Sequence, residues 1–144
     1  MSRGEAEDES GPALAALCEE AGLEVVTEVV SDDREAIATA LKRLADHEAV
    51  RFVFTTGGTG LTPDDVTPEA TLDVIDRQAP GFAETIRAES RAHTPLGILS
   101  RGVSGVRGRT LIVNLPGSPR GVRQSWAVVE PTLKHAADTL ERGS

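Results

Sequence analysis

Chemistry in this 144-residue chain concentrates first in one run, Thr55-Thr56-Gly57-Gly58-Thr59-Gly60-Leu61-Thr62-Pro63-Asp64-Asp65-Val66-Thr67-Pro68. Glycines let backbone N–H groups approach an anion closely, because no Cβ intervenes. Threonine hydroxyls and two carboxylates share the same loop, and that mixture suits a phosphate together with a hard cation such as Mg²⁺. The run is not a P-loop, since no Gly-Lys-Ser/Thr follows. It is not a dinucleotide fingerprint either, because Pro63 stands where the third glycine belongs. A plain turn with Asp65 as an ordinary turn residue explains the same letters.

Two other segments carry reactive or anion-binding groups, Ser31-Asp32-Asp33 and Asn114-Leu115-Pro116-Gly117-Ser118-Pro119. Asp32 stands three residues before Glu35, at capping-box spacing, so it serves a helix start as readily as a reaction. Pro116-Gly117 reads as a turn, and Ser118 lies near a helix start able to receive an anion.

Net charge is −8, which argues against a polyanionic ligand until its distribution is examined. No Asp or Glu occurs from Ser90 to Val129, while Arg91, Arg101, Arg107, Arg109, Arg120 and Arg123 all fall there. That stretch is +6 and the remainder −14, so a local field favours a phosphate inside an acidic envelope. Six solvated surface arginines are the competing explanation.

Positioning these groups requires elements. Leu14, Leu17, Cys18 and Ala21 recur at helical spacing between a Ser10 cap and Gly22, after a loop-like start. Valine-rich Leu23 to Val30 predicts a strand, and Ile37, Ala40, Leu41 and Leu44 a helix. Val50 to Thr55 reads as a strand covered on both faces. Thr67-Pro68 opens a helix carrying Leu72 and Ile75 that ends by Pro80. Another helix is expected over about 81–92, a short strand at Leu96 to Leu99 and a buried strand at Leu111 to Val113. Val122, Trp126 and Val129 mark a last helix that Pro131 interrupts or restarts. The alternation predicts one α/β domain over residues 1–144 with a largely parallel sheet. In such sheets the crevice beyond the strand carboxyl ends takes the ligand, and all three segments fall there.

Other classes are disfavoured. No G-x-S-x-G elbow surrounds Ser104 or Ser118. His47, His93 and His135 lack ligand spacing, and Cys18 is alone on an apolar helical face. Aromatic content of 3% with no tyrosine leaves little to stack nucleic-acid bases upon. No apolar run is long enough to span a membrane, and MSRGEAEDES has no apolar h-region, so a cytoplasmic protein is expected.

Together the segments resemble the MoaB/Mog family, the molybdopterin-binding domain also found in gephyrin. Matching stretches are Gly4 to Pro12, Ser31 to Ile37, Thr55 to Thr71, Pro80 to Phe82, Thr94 to Arg101 and Thr110 to Ser118. The resemblance implies a three-layer α/β domain with helices on both faces of the sheet, usually trimeric. It also implies molybdopterin and Mg-ATP as substrates, with AMP transferred to the terminal phosphate of the pterin and pyrophosphate released. A metal-insertion protein of the same pathway is an implied partner. Residue by residue, Asp65 resembles the essential aspartate and Asp32 the second catalytic carboxylate, with Asp33 a one-residue alternative. Both are expected to organise Mg²⁺. Thr56, Gly57, Gly58, Thr59 and Gly60 would cradle phosphate, Ser100 and Arg101 would lie near the pterin, and Asn114, Pro116, Gly117 and Ser118 would line the crevice. Arg101, and after it Arg107, is the expected phosphate contact in the acid-free stretch.

The resemblance departs at one end. Family members begin with a core strand and a Ser/Asp-rich loop upstream of the position of Ser2-Arg3-Gly4, so the domain is expected to lack its usual first strand. The family also includes members that bind the pterin without adenylylating it, and these motifs leave both types open.

Overall fold

The computed structural model describes residues 2–142, with side chains from Glu9 onward; the side chains of the matched stretch before Glu9 lie outside the described residues. Among the described residues six α-helices, α1 (Ser2–Glu20), α2 (Arg34–Asp46), α3 (Thr67–Val74), α4 (Pro80–His93), α5 (Pro119–Val129) and α6 (Leu133–Arg142), surround one sheet. The strands are β1 (Phe52–Thr56), β2 (Arg77–Gln78), β3 (Ser104–Arg107) and β4 (Thr110–Leu115), in spatial order β1-β4-β3-β2.

Strand alternation creates three layers. Leu111, Val113 and Leu115 face one side with Phe52 and Phe54, and pack against Leu14 and Cys18 of α1, Ile86 of α4, Val122 and Trp126 of α5 and Leu133 of α6. Ile112 and Val53 face the other side, against Ile37, Ala38 and Leu41 of α2 and Ala70 and Val74 of α3. Period-2 side chains on a sheet buried on both faces explain why all six β4 residues are buried. Phe54 meets Trp126 edge-on at 5.5 Å, tying β1 to α5.

Helices on both faces agree with expectation; three strand expectations and one helix start differ. Only β1–β4 is parallel among the described pairings, whereas β3–β4 and β2–β3 are antiparallel, so the sheet is mixed rather than largely parallel. The cause is a two-residue hairpin turn at Gly108-Arg109, with φ +59° at Gly108, which returns the chain beside itself without a crossover. Residues 23–30 form no ladder: Val26 and Val29 are 76% and 95% exposed, and only Leu23, Val25 and Val30 touch the core. β-branched composition without a pairing partner does not make a strand. Leu96 to Leu99 is a 3₁₀ turn, Pro95–Leu99, started by Thr94 Oγ1 accepting from the Leu96 N–H at 3.2 Å. Finally, α1 already runs from Ser2, so Ser10 is a buried interior residue of the helix and not its cap.

In α3 the buried face is Ala70, Thr71 and Val74, and Leu72 points outward. The helix is steered by its ion pair to α2, where Arg34 grips Asp73 with two 2.7 Å bonds. Arg107 similarly holds Asp46 of α2 at 2.8 and 3.0 Å while donating to the Val74 carbonyl at 2.8 Å. Hydrogen bonding to these arginines holds both carboxyls below the ordinary carboxylate range. Their stabilisation is therefore present above about pH 4, the unfolded value, and lost as pH falls through the lower folded values. The melting temperature is expected to fall on acidification over that window, and Asp46→Asn plus Asp73→Asn should flatten the dependence. Parallel pH profiles for wild type and double variant would contradict this.

No helix is long and apolar enough to cross a membrane among the described residues.

Candidate functional site

β1 and β4 end side by side, with Thr56 opposite Leu115, and the loops leaving them meet at once. The Gly57 N–H donates to the Leu115 carbonyl at 3.1 Å. A Cβ on Gly117 would stand 3.1 Å from Gly57 Cα, so the two loops touch backbone to backbone. Gly57 and Gly58 have φ of +82° and +70°, which strains any residue with a Cβ. The loop closes where the Thr67 N–H donates to the Gly58 carbonyl at 3.2 Å, setting the start of α3 beside the glycines. Gly57, Gly58 and Thr59 are buried at the base of this crevice.

Asp65 occupies the far limb of the loop. Its Oδ2 accepts from the Thr62 N–H at 3.0 Å and from Thr62 Oγ1 at 2.7 Å, and its own N–H donates to the Thr62 carbonyl at 3.0 Å. This tight turn holds a half-buried carboxylate one residue before the N-cap of α3.

A third strip, Ser100 to Val103, lies across the loop. The Arg101 N–H donates to the Thr59 carbonyl at 2.8 Å, and the Gly102 carbonyl accepts from Arg87 Nη1 at 2.6 Å. The Val103 N–H donates to Asn114 Oδ1 at 3.0 Å, while Asn114 Nδ2 donates to Thr55 Oγ1 and Thr71 Oγ1, both at 3.0 Å. Asn114 is 3% exposed. Its amide therefore welds β1, α3 and the Ser100 strip together from within, rather than lining the crevice surface. Ser118 caps α5, its Oγ accepting from the Gly121 N–H at 3.0 Å, and Pro116 packs on Gly121.

Thr56 to Gly60, Asp65, Ser100, Arg101, Asn114 and Pro116 to Ser118 thus converge on one end of the sheet. Arg107 does not: it pairs with Thr110, at the opposite end of β4, and its fork is on Asp46. The expected phosphate contact there is a structural brace. Asp32 and Asp33 stand exposed before α2, and Asp33 is the cap, accepting from the Ala36 N–H at 2.8 Å. The capping role considered for Asp32 belongs to its neighbour. Asp33→Ala should cost about 1 kcal/mol of stability, and Asp33→Asn only a few tenths, because Asn caps as well as Asp. Equilibrium unfolding of the two variants checks this, and equal losses would remove Asp33 from the cap.

Sequence reasoning missed Glu69, which holds the Arg101 guanidinium at 2.6 Å. An acid in the first turn of a helix reads only as a complement to the dipole, so nothing local singled it out. Thr71 and the Val103 amide were missed likewise, because their roles exist only across contacts with Asn114, 43 and 11 residues away. Thr62, three residues before Asp65, was a local signal left unread.

The donors at this site are oxygens, which suits Mg²⁺. No cluster of three or more His, Cys, Asp or Glu side chains able to hold a metal forms among the described residues. The set fits a cation bound by one or two carboxylates and mainly by ligand phosphates, the usual Mg²⁺ arrangement at phosphate sites. A separate open groove of about 600 Å³ runs between residues 28–33 and α2, lined by Glu28, Asp33 and Glu35 among others. Its acidic wall opposes a phosphate, so the glycine-rich crevice is the better candidate for an anion despite the size of this groove.

Fold and loop define an α/β crevice of the kind that holds phosphate-bearing ligands at strand carboxyl ends. Residues 1–135 match the family model described as "Probable molybdopterin binding domain", and the chain belongs to that family. It is 39% identical over 142 residues to the molybdopterin adenylyltransferase of Helicobacter pylori, covering 96% of this chain and 81% of that protein. It is 40% identical over 135 residues to the molybdenum cofactor synthesis protein cinnamon of Drosophila melanogaster, 92% of this chain but only 22% of that much longer protein. Among solved structures it resembles the molybdopterin biosynthesis enzyme MoaB of Thermus thermophilus, with a TM-score of 0.87 and 46% identity over 96% of this chain and 87% of that one.

Proposed function

We propose that this chain is a molybdopterin adenylyltransferase. A terminal phosphate oxygen of molybdopterin attacks the α-phosphorus of ATP; the new P–O bond forms as the bond to the β-phosphate bridging oxygen breaks, and pyrophosphate leaves. The supporting observation is the abutment of the two strand-end loops, Gly57-Gly58 against Gly117, with the Asp65 turn closing the same crevice.

Transfers of this kind depend on positioning and charge neutralisation more than on a covalent catalyst. The glycine loop admits phosphates to its backbone, and the start of α5 at Ser118 presents the positive end of a helix dipole beside it. Asp65, oriented by Thr62, would hold Mg²⁺, which when bound would offset the charge of the triphosphate. Asp32, exposed before α2 and outside the residues that meet at the crevice, is proposed as the second carboxylate on the family resemblance alone. Relatives named for this transferase, at about two-fifths identity across most of the chain, support the assignment.

The test is pyrophosphate release from ATP and Mg²⁺ with and without molybdopterin. Release that requires molybdopterin and stops at one equivalent per pterin is expected. Tight pterin binding without release would instead make the protein a binding or scaffold member of the family.

A further inference from the structure

Arg101 was expected to offer its charge to a phosphate; its guanidinium is turned inward instead. Nε donates to the Gly60 carbonyl at 2.7 Å and Nη2 to the Asp65 carbonyl at 2.6 Å, so one planar group grips both ends of the 60–65 turn. Nη1 donates to Glu69 Oε2 at 2.6 Å, and Nη2 makes a longer 3.4 Å contact with Oε1, anchoring the fork to the first turn of α3. The strip carrying Arg101 is itself fixed to the Thr59 carbonyl and, through Val103 and Asn114, to β4. Each member of the pair favours the charged form of the other through the shared hydrogen bond. The turn leaves little slack: a Cβ on Gly60 would lie 2.8 Å from Asp65 Oδ2.

We infer that Arg101 and Glu69 are a positioning pair that sets the 60–65 turn, and with it the Asp65 carboxylate, for adenylyl transfer, and that Arg101 does not itself bind the substrate phosphates. This rests on the transferase reading above. Only a bidentate fork reaches two carbonyls and a carboxylate together; a lysine ammonium supplies the charge without the geometry.

The distinguishing experiment compares Arg101→Ala, Arg101→Lys, Glu69→Gln and the Arg101→Ala/Glu69→Gln double variant in full-length protein. AMP transfer, molybdopterin affinity and amide hydrogen exchange are measured for each. A positioning pair predicts kcat lowered about tenfold or more in every single variant, Lys included, with molybdopterin Kd changed less than about threefold. The double variant should be no worse than Arg101→Ala alone, since the two side chains act as a unit. Exchange at Thr62 and Asp65, whose N–H groups bond within the turn, should quicken in all of them. A phosphate contact predicts the opposite pattern. Arg101→Ala would weaken molybdopterin binding at least tenfold, Lys would restore much of it, and Glu69→Gln would leave or improve affinity. That pattern, or unchanged exchange across the turn, overturns the inference. The exchange readout needs no turnover, so an inactive wild-type protein would sink the transferase reading while the turn-setting pair is still decided.

Discussion

Replacing Asp65 with Asn is expected to lower AMP transfer at least ~100-fold, the scale set by removing one preorganised electrostatic contributor to a transition state. The substitution keeps the size of the side chain, and its remaining carbonyl oxygen can still accept from the Thr62 N–H and hydroxyl that orient Asp65 now. The turn should therefore persist and the negative charge alone be lost. Molybdopterin affinity should change far less, because the glycine loop and the start of α5 keep their geometry. Asp32→Asn should behave in the same way, whereas Asp33→Asn should be nearly silent, since that side chain is occupied in capping α2. Full transfer by the Asp65 variant would remove it from the mechanism.

The largest effect on stability is expected at Asn114. Leucine there keeps the branching but is larger, and it strands the Val103 N–H and the hydroxyls of Thr55 and Thr71, which all bond the amide now. Buried donors and acceptors left unpaired cost about 1–3 kcal/mol each, with the hydroxyls partly able to reorient. A loss of about 3 kcal/mol follows, or a fall of about 10 °C in Tm for a domain of this size. Thr71→Val, which removes one partner only, should cost less than half as much. Thermal unfolding of both variants measures this; an Asn114→Leu protein as stable as wild type would mean the amide is not the weld between β1, β4 and α3.

The elements legible in the sequence were those whose signal is local. The 3.6-residue stripe of Ile37 and Leu41, the Thr67-Pro68 helix start and the apolar run at Leu111 to Val113 each declare themselves within a few residues. The glycine-rich loop was legible for the same reason, and it leaves β1 beside the carboxyl end of β4, as the two apolar runs predicted. What stayed hidden depends on partners far along the chain. Leu23 to Val30 has strand composition, but a ladder needs a neighbour, and composition cannot supply one. β3 escaped because Ser104-Gly105-Val106-Arg107 has little apolar content; its register comes from β4 across the Gly108 turn. The arginines were misjudged because net charge along a segment ignores where each fork points. Arg107 reaches back 61 residues to Asp46 and Arg101 32 residues to Glu69, and neither pairing leaves a mark in the local sequence.

One labelling measurement bears most directly on the central claim. Molybdopterin is incubated with the protein, Mg²⁺ and ATP labelled either at the α- or at the γ-phosphate, and the pterin is then isolated. Adenylyl transfer predicts that α-label appears in the pterin and γ-label leaves entirely as pyrophosphate, with the Asp65→Asn protein transferring neither at a comparable rate. A pterin that binds the wild-type protein and acquires no α-label, or one that acquires the γ-label instead, would contradict the assignment.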